Sequence, residues 1–103
     1  MKVLTQANFK EETAKGIYVV DLYADWCGPC RLLTPILEEM DGKHEGVNFV
    51  KLDLDAAPEI QEEFGIINIP TVLFLKDGKE VSRVTGLYPP QKYLEEIKAI
   101  QAA

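Results

Sequence analysis

The chain has two cysteines, Cys27 and Cys30, and both lie in the string Trp26-Cys27-Gly28-Pro29-Cys30-Arg31. Two thiols at this spacing can close into a disulfide and reopen, so a pair of sulfur atoms can hold two electrons. The chemistry this suggests first is thiol–disulfide exchange. Within a helix, residues three apart have Cβ atoms roughly 5–6 Å apart, whereas a disulfide requires about 3.8 Å. The gap closes most easily where the first cysteine stands at the helix start, before the backbone is regular. Pro29 suits that placement, because the first turn has no use for its missing N–H. Cys27 is then expected to be the more exposed sulfur and Cys30 the more buried one. A helix N-terminus also offers free N–H groups and a partial positive charge, which favour a thiolate. The gain from ionisation alone is small. A thiol of pKa about 8.5 is ~3% ionised at pH 7, and one of pKa ~7 about half ionised. Intrinsic nucleophilicity falls meanwhile by roughly fivefold, for a net gain of about threefold. Proximity of Cys30 and docking of a target must supply the rest.

Other uses of a cysteine pair fit less well. Two cysteines are too few for a disulfide scaffold, and in a reducing compartment such a pair is catalytic or metal-binding rather than structural. Tetrahedral zinc usually takes four protein ligands, and His44 is the only other soft candidate. No Gly-rich phosphate loop is present. The reading is therefore of a chain with no metal and no external cofactor, whose redox group is the Cys27–Cys30 disulfide itself.

Two ionisable residues stand near the pair in the pattern. Asp21 interrupts the apolar run Ile17-Tyr18-Val19-Val20-Asp21-Leu22-Tyr23. A carboxylate in a strand buried on both faces is costly unless paired or neutral. Burial would raise its pKa and make it a proton acceptor for a buried thiol; the alternative is a partly exposed aspartate at a strand end. Lys51, in the neighbouring strand, is a candidate to share that proton or offset that charge, or else a surface lysine on an exposed strand end.

The elements that must position these residues follow from periodicity. Lys2 to Thr5 reads as a short edge strand. Asn8 can cap a short helix through Glu11 and Glu12 towards Lys15, closed by Gly16. Ile17 to Ala24 is apolar and β-branched without alternation, as in a strand buried on both faces. From Gly28 the period becomes helical, with Leu33, Ile36, Leu37 and Met40 on one face and an end near Gly42. Pro35 falls inside and predicts a kink. Val47 to Leu54 reads as a second buried strand, and Pro58 opens a short helix that Gly65 closes. Thr71 to Leu75 and Glu80 to Thr85 flank Lys76-Asp77-Gly78-Lys79, a hairpin signal. Pro89 and Pro90 start a last helix with Leu94, Ile97 and Ile100 inward. The order β-α-β-α-β-α-β-β-α predicts an α/β domain over residues 1–103, with helices on both faces of a central mixed five-stranded sheet.

With 103 residues, 47% hydrophobic and 27% charged, the chain suits one folded unit rather than a disordered one. A net charge of −6 argues against nucleic acid or an anionic membrane as partner. No segment reaches the ~18 apolar residues of a membrane span. Met1 to Gln6 lacks a signal-peptide core, so a cytoplasmic monomer is expected, although a chain already trimmed of a signal would read the same.

Val20-Asp21-Leu22-Tyr23-Ala24-Asp25-Trp26-Cys27-Gly28-Pro29-Cys30-Arg31, followed by Pro35-Ile36-Leu37, resembles the thioredoxin family. The resemblance continues through Lys51-Leu52-Asp53-Leu54-Asp55, Phe64-Gly65-Ile66, Ile69-Pro70-Thr71, Lys76-Asp77-Gly78 and Gly86, in order and over nearly the whole chain. It implies a thioredoxin fold and a protein-disulfide reductase, recycled by a thioredoxin reductase that draws on NADPH through a flavin. By the same resemblance Cys27 is the attacking thiolate and Cys30 the resolving thiol, and Asp21, with Lys51 beside it, helps to deprotonate Cys30. Trp26 would shield the sulfurs and meet the target. Pro70 matches a cis-proline against the disulfide, which would leave the backbone of Ile69, before Thr71, open to an extended target segment. Gly86 would keep the docking surface flat beside Gly28 and Pro29. The Gly28-Pro29 dipeptide resembles the reducing members of the family rather than its oxidants and isomerases. A binding module with incidental thiols is the rival of a different class. Tyr23, where many members carry a second tryptophan, and Leu87-Tyr88-Pro89-Pro90, in place of a small polar stretch, depart from the pattern. They bear on packing behind the site and on partner choice.

Overall fold

The structure, a computed structural model, describes residues 1–103. Five strands form one sheet in the order β1-β3-β2-β4-β5: β1 (Lys2–Leu4), β2 (Ile17–Tyr23), β3 (Val47–Asp53), β4 (Thr71–Lys76) and β5 (Lys79–Thr85). The first three are parallel to one another, β4 runs antiparallel to β2, and β5 antiparallel to β4. Four helices complete the chain: α1 (Phe9–Glu12), α2 (Gly28–Met40), α3 (Pro58–Glu63) and α4 (Pro90–Ala102).

Burial on both faces explains why β2 lacks alternation. Val20 and Leu22 point into one core with Phe9, Leu52, Ile60 and Leu73, on the side of α1 and α3. Val19 points into the other with Leu33, Leu37, Phe49, Phe74, Tyr93 and Ile97, on the side of α2 and α4. Asp21 shares the face of Val19, since side chains two apart on a strand point the same way. It therefore lies under α2 and α4.

The chain order and the five-stranded mixed sheet are as the pattern predicts. The hairpin is set by Asp77 and Gly78, both at positive φ (51° and 81°), as a two-residue turn of this hand requires. Local differences have local causes. Helix α1 stops at Glu12, short of Lys15, and the Asn8 side chain does not cap it; Asn8 Oδ1 instead accepts from the Thr5 amide at 2.8 Å. Helix α2 ends at Met40 rather than near Gly42, with Pro35 inside it, and the Asp41 N–H closes on the Leu37 and Glu38 carbonyls. Strand β3 ends at Asp53 because the Asp53 carboxylate accepts the Asp55 amide at 3.0 Å and turns Leu54–Ala56 into a short 3-10 helix.

On α4 the inward positions are Tyr93, Ile97 and Ile100, with Leu94 only partly buried. Tyr93 is fully buried, and burial pushes its phenol pKa up. Its hydroxyl donates to the Gly86 carbonyl and accepts from the Tyr88 amide, each at 3.2 Å, tying the β5–α4 loop to the core. Tyr93→Phe is expected to lower unfolding free energy by about 1–2 kcal/mol in urea denaturation, since two modest hydrogen bonds are lost with no change of shape.

Candidate active site

The cysteines, Trp26 and the loops carrying Ile67–Pro70, Asp55 and Gly86–Pro89 converge at one edge of the sheet, where β2, β3 and β5 end and β4 begins. Strand β2 ends at Tyr23, and after four intervening residues α2 begins at Gly28. Cys27 is the helix N-cap, with Pro29 in the first turn. Its backbone is extended (φ −86°, ψ 108°), and its sulfur accepts the Cys30 amide at 3.2 Å. Cys27 and Cys30 are joined as a disulfide with Cα atoms 5.3 Å apart. The Cys30 amide and the helix N-terminus thus face the Cys27 sulfur, surroundings that in general favour a thiolate over a thiol.

Cys27 and Cys30 are 4% and 2% exposed, so the expected contrast between an open and a hidden sulfur is slight. Both belong to a small apolar cluster with Ala24, against which Tyr23 and Ile69 pack. The tyrosine in place of a second tryptophan thus supplies the packing behind the disulfide. Gly28 and Pro29 lie exposed beside it. Trp26 is 70% exposed, which excludes an ordinary core aromatic, and its Nε1 donates to Asp55 Oδ2 at 2.9 Å. The indole is held at one end and open at its face.

The Ile69–Pro70 bond is cis, and the Pro70 carbonyl accepts the Gly86 amide at 2.8 Å, which joins the two segments. Thr71 is buried, and its hydroxyl donates to the Asn68 carbonyl at 2.6 Å. Gly86 has φ +102°, a conformation that L side chains rarely adopt; a Cβ there would meet Tyr88 only at an ordinary 3.5 Å. Glycine is required here by its backbone rather than by lack of space.

Asp21 resolves the two alternatives that its spacing left open: its side chain is fully buried. Burial raises its pKa to about 6, against the opposing effects of a hydrogen bond from Thr34 and the charge of Lys51. The Thr34 hydroxyl donates to Asp21 Oδ2 at 2.6 Å, while Oδ1 has no hydrogen-bond partner. Lys51 is the register partner of Asp21 on β3, yet its ammonium makes an ion pair with Glu38 at 3.8 Å and lies 5.9 Å from the Tyr23 ring centroid. It offsets the carboxylate charge from a distance, and Thr34 holds the position of direct partner. Thr34 was not singled out by sequence reading; its one signal is that it falls four residues after Cys30 on the same helix. No cluster of three or more His, Cys, Asp and Glu side chains could hold a metal ion, and no helix is long and apolar enough to cross a membrane.

A Cys-x-x-Cys disulfide at the N-terminus of a helix, set at the end of a central strand of a mixed sheet, defines a dithiol exchange domain. The thioredoxin family model matches residues 1–99. Thioredoxin of Chlamydia muridarum is 46% identical over 87 residues, 84% of this chain and 85% of that one. Thioredoxin of Listeria monocytogenes is 42% identical over 98 residues, 94% of each chain. The crystal structure of Malassezia sympodialis thioredoxin superposes with a TM-score of 0.87 at 32% identity, over 96% of this chain and 89% of that one. The chain belongs to the thioredoxin family. It is a thiol–disulfide oxidoreductase whose redox group is its own cysteine pair, and disulfide substrates and recycling by a reductase are the partner chemistry of that family.

Proposed function

We propose that this chain is a general reductant of protein disulfides. The Cys27 thiolate attacks one sulfur of a target disulfide, forms a mixed disulfide and expels the first target thiolate. Cys30, having lost its proton with help from Asp21, attacks the Cys27 sulfur and expels the second. Two electrons pass to the target, and the chain is left as the Cys27–Cys30 disulfide. The observation that supports this reading best is the Cys30 amide directed at the Cys27 sulfur, an arrangement that would favour a thiolate on Cys27. An NADPH-linked flavin reductase would return the disulfide to the dithiol. The reading has residues 1–103 acting as one domain and as a monomer, in a reducing compartment such as the cytoplasm.

The target is received on the surface around Trp26, Gly28, Pro29, Ile69, Pro70, Thr71 and Gly86. Support comes from large apolar side chains left exposed on three loops of that edge: Trp26, Ile67, and the pair Leu87 and Tyr88. Lys51 keeps the charge behind the site balanced. Addition of catalytic amounts of the chain should accelerate reduction of a model protein disulfide by dithiothreitol; no acceleration would refute the assignment. Trp26→Ala should weaken kcat/KM for a protein disulfide by about tenfold or more, the loss expected of an exposed aromatic anchor. The same variant should change the rate with a small aromatic disulfide far less, and parallel kinetics on the two substrates check this.

A further inference from the structure

We propose that Thr34 is a positioning residue for the resolving step, holding the Asp21 carboxylate by its hydroxyl and linking it to the cleft that Cys30 lines. The inference rests on the reductase reading above. A threonine within a helix ordinarily returns its hydroxyl to the carbonyl four residues back. Here the hydroxyl leaves its own helix and donates to Asp21 Oδ2 at 2.6 Å. Thr34 and Cys30, four apart on α2, are neighbours on one helix face. Both line a cleft of about 390 Å³, together with Tyr23, Ala24, Asp25, Arg31 and Pro35. Asp21 is not among the lining residues and is fully buried, with its second oxygen unpartnered. The Thr34 hydroxyl is thus its polar connection to the space around Cys30.

The proton path balances without a further reagent. In the mixed disulfide, the Cys30 thiol gives its proton to the Thr34 oxygen, directly or through water in the cleft. Thr34 gives its own hydroxyl proton to Asp21 Oδ2. The products are a Cys30 thiolate, an intact threonine hydroxyl and a neutral Asp21; the thiolate then attacks the Cys27 sulfur and the target leaves as a thiolate.

Other charged and titratable groups face Asp21 from each packed element. Lys51 comes from β3, Glu38 from α2, Tyr23 from β2 itself and Tyr93 from α4, while the register partner on β4 is the apolar Val72. A test must therefore remove the hydroxyl and leave these in place. Thr34→Val does so with the same shape, and Thr34→Ser restores the hydroxyl. The Asp21 carboxyl is followed by 13C NMR, and the pH profile of dithiothreitol-driven protein-disulfide reduction is recorded in parallel. Thr34→Val should move both midpoints to higher pH by about one pH unit, as loss of a donor to a charged acceptor would. Thr34→Ser should keep both where they are in the natural chain. In the natural chain the Thr34 13Cβ signal should titrate with the Asp21 midpoint, a readout that holds even if the valine variant does not fold. An active natural chain with an unmoved valine profile, or a flat Thr34 signal, overturns this role alone. A natural chain without catalysed reduction overturns the reductase reading, and the relay with it.

Discussion

Cys27→Ser is expected to reduce protein disulfides no faster than dithiothreitol alone, a loss of at least about a thousandfold, comparable to removing the nucleophile of other covalent catalysts. Serine keeps the N-cap geometry, since a hydroxyl oxygen can accept the Cys30 amide as the sulfur does at 3.2 Å. What disappears is the thiolate, and a serine hydroxyl does not attack sulfur at neutral pH. Cys30→Ser separates the two steps. Its Cys27 remains competent for the first attack, so the variant should accumulate a covalent complex with the target, seen as a mass increase that dithiothreitol reverses. If Cys30→Ser were inert and Cys27→Ser trapped the complex, the roles would be exchanged, and the preference read from the N-cap would be wrong. Replacement of both cysteines distinguishes the binding-module rival, which alone predicts that function survives.

The parts of this site that were legible in the sequence are those fixed by local rules. The change from a strand-like to a helix-like period between Tyr23 and Gly28 puts the cysteines at a helix start, because the chain there must pass from one backbone geometry to another. The Asp77-Gly78 turn was readable for the same reason, since a two-residue hairpin of this hand admits few residues. What escaped depends on contacts between distant segments. The Trp26 indole is oriented by Asp55, 29 residues away, and nothing near Trp26 signals that a large aromatic would stay 70% exposed. Asn8 has the right identity for a cap but a competing partner in the Thr5 amide. Tyr93 falls on the apolar stripe of α4 four residues before Ile97, yet its hydroxyl disguised a core position. For Asp21 the spacing left burial and exposure open, and only the covering of β2 by α2 and α4 decides between them.

That covering carries a cost with a definite pH signature. The folded Asp21 titrates at about 6 against an ordinary 3.8, so between those values the folded chain binds the proton and the unfolded chain does not. Stability contributed by this group is complete below about pH 4 and is lost as pH rises through about 6. The difference of about two pH units corresponds to about 3 kcal/mol. Asp21→Asn has no such titration, so its stability relative to the natural chain should rise by about 3 kcal/mol from pH 4 to pH 7 in urea denaturation. An unchanged difference would mean that the carboxylate is not desolvated. The same group that weakens the fold at neutral pH should speed the chemistry there. Above pH 6 Asp21 is ionised and ready to accept the Cys30 proton, so resolution in the natural chain should slow as pH falls through about 6. Asp21→Asn should be about ten- to a hundredfold slower at pH 7 and should lack that step in its profile. Gain of stability and loss of rate in one substitution, both tied to the same midpoint, would identify Asp21 as a charge kept in the core for proton transfer, since packing alone would favour a neutral residue there.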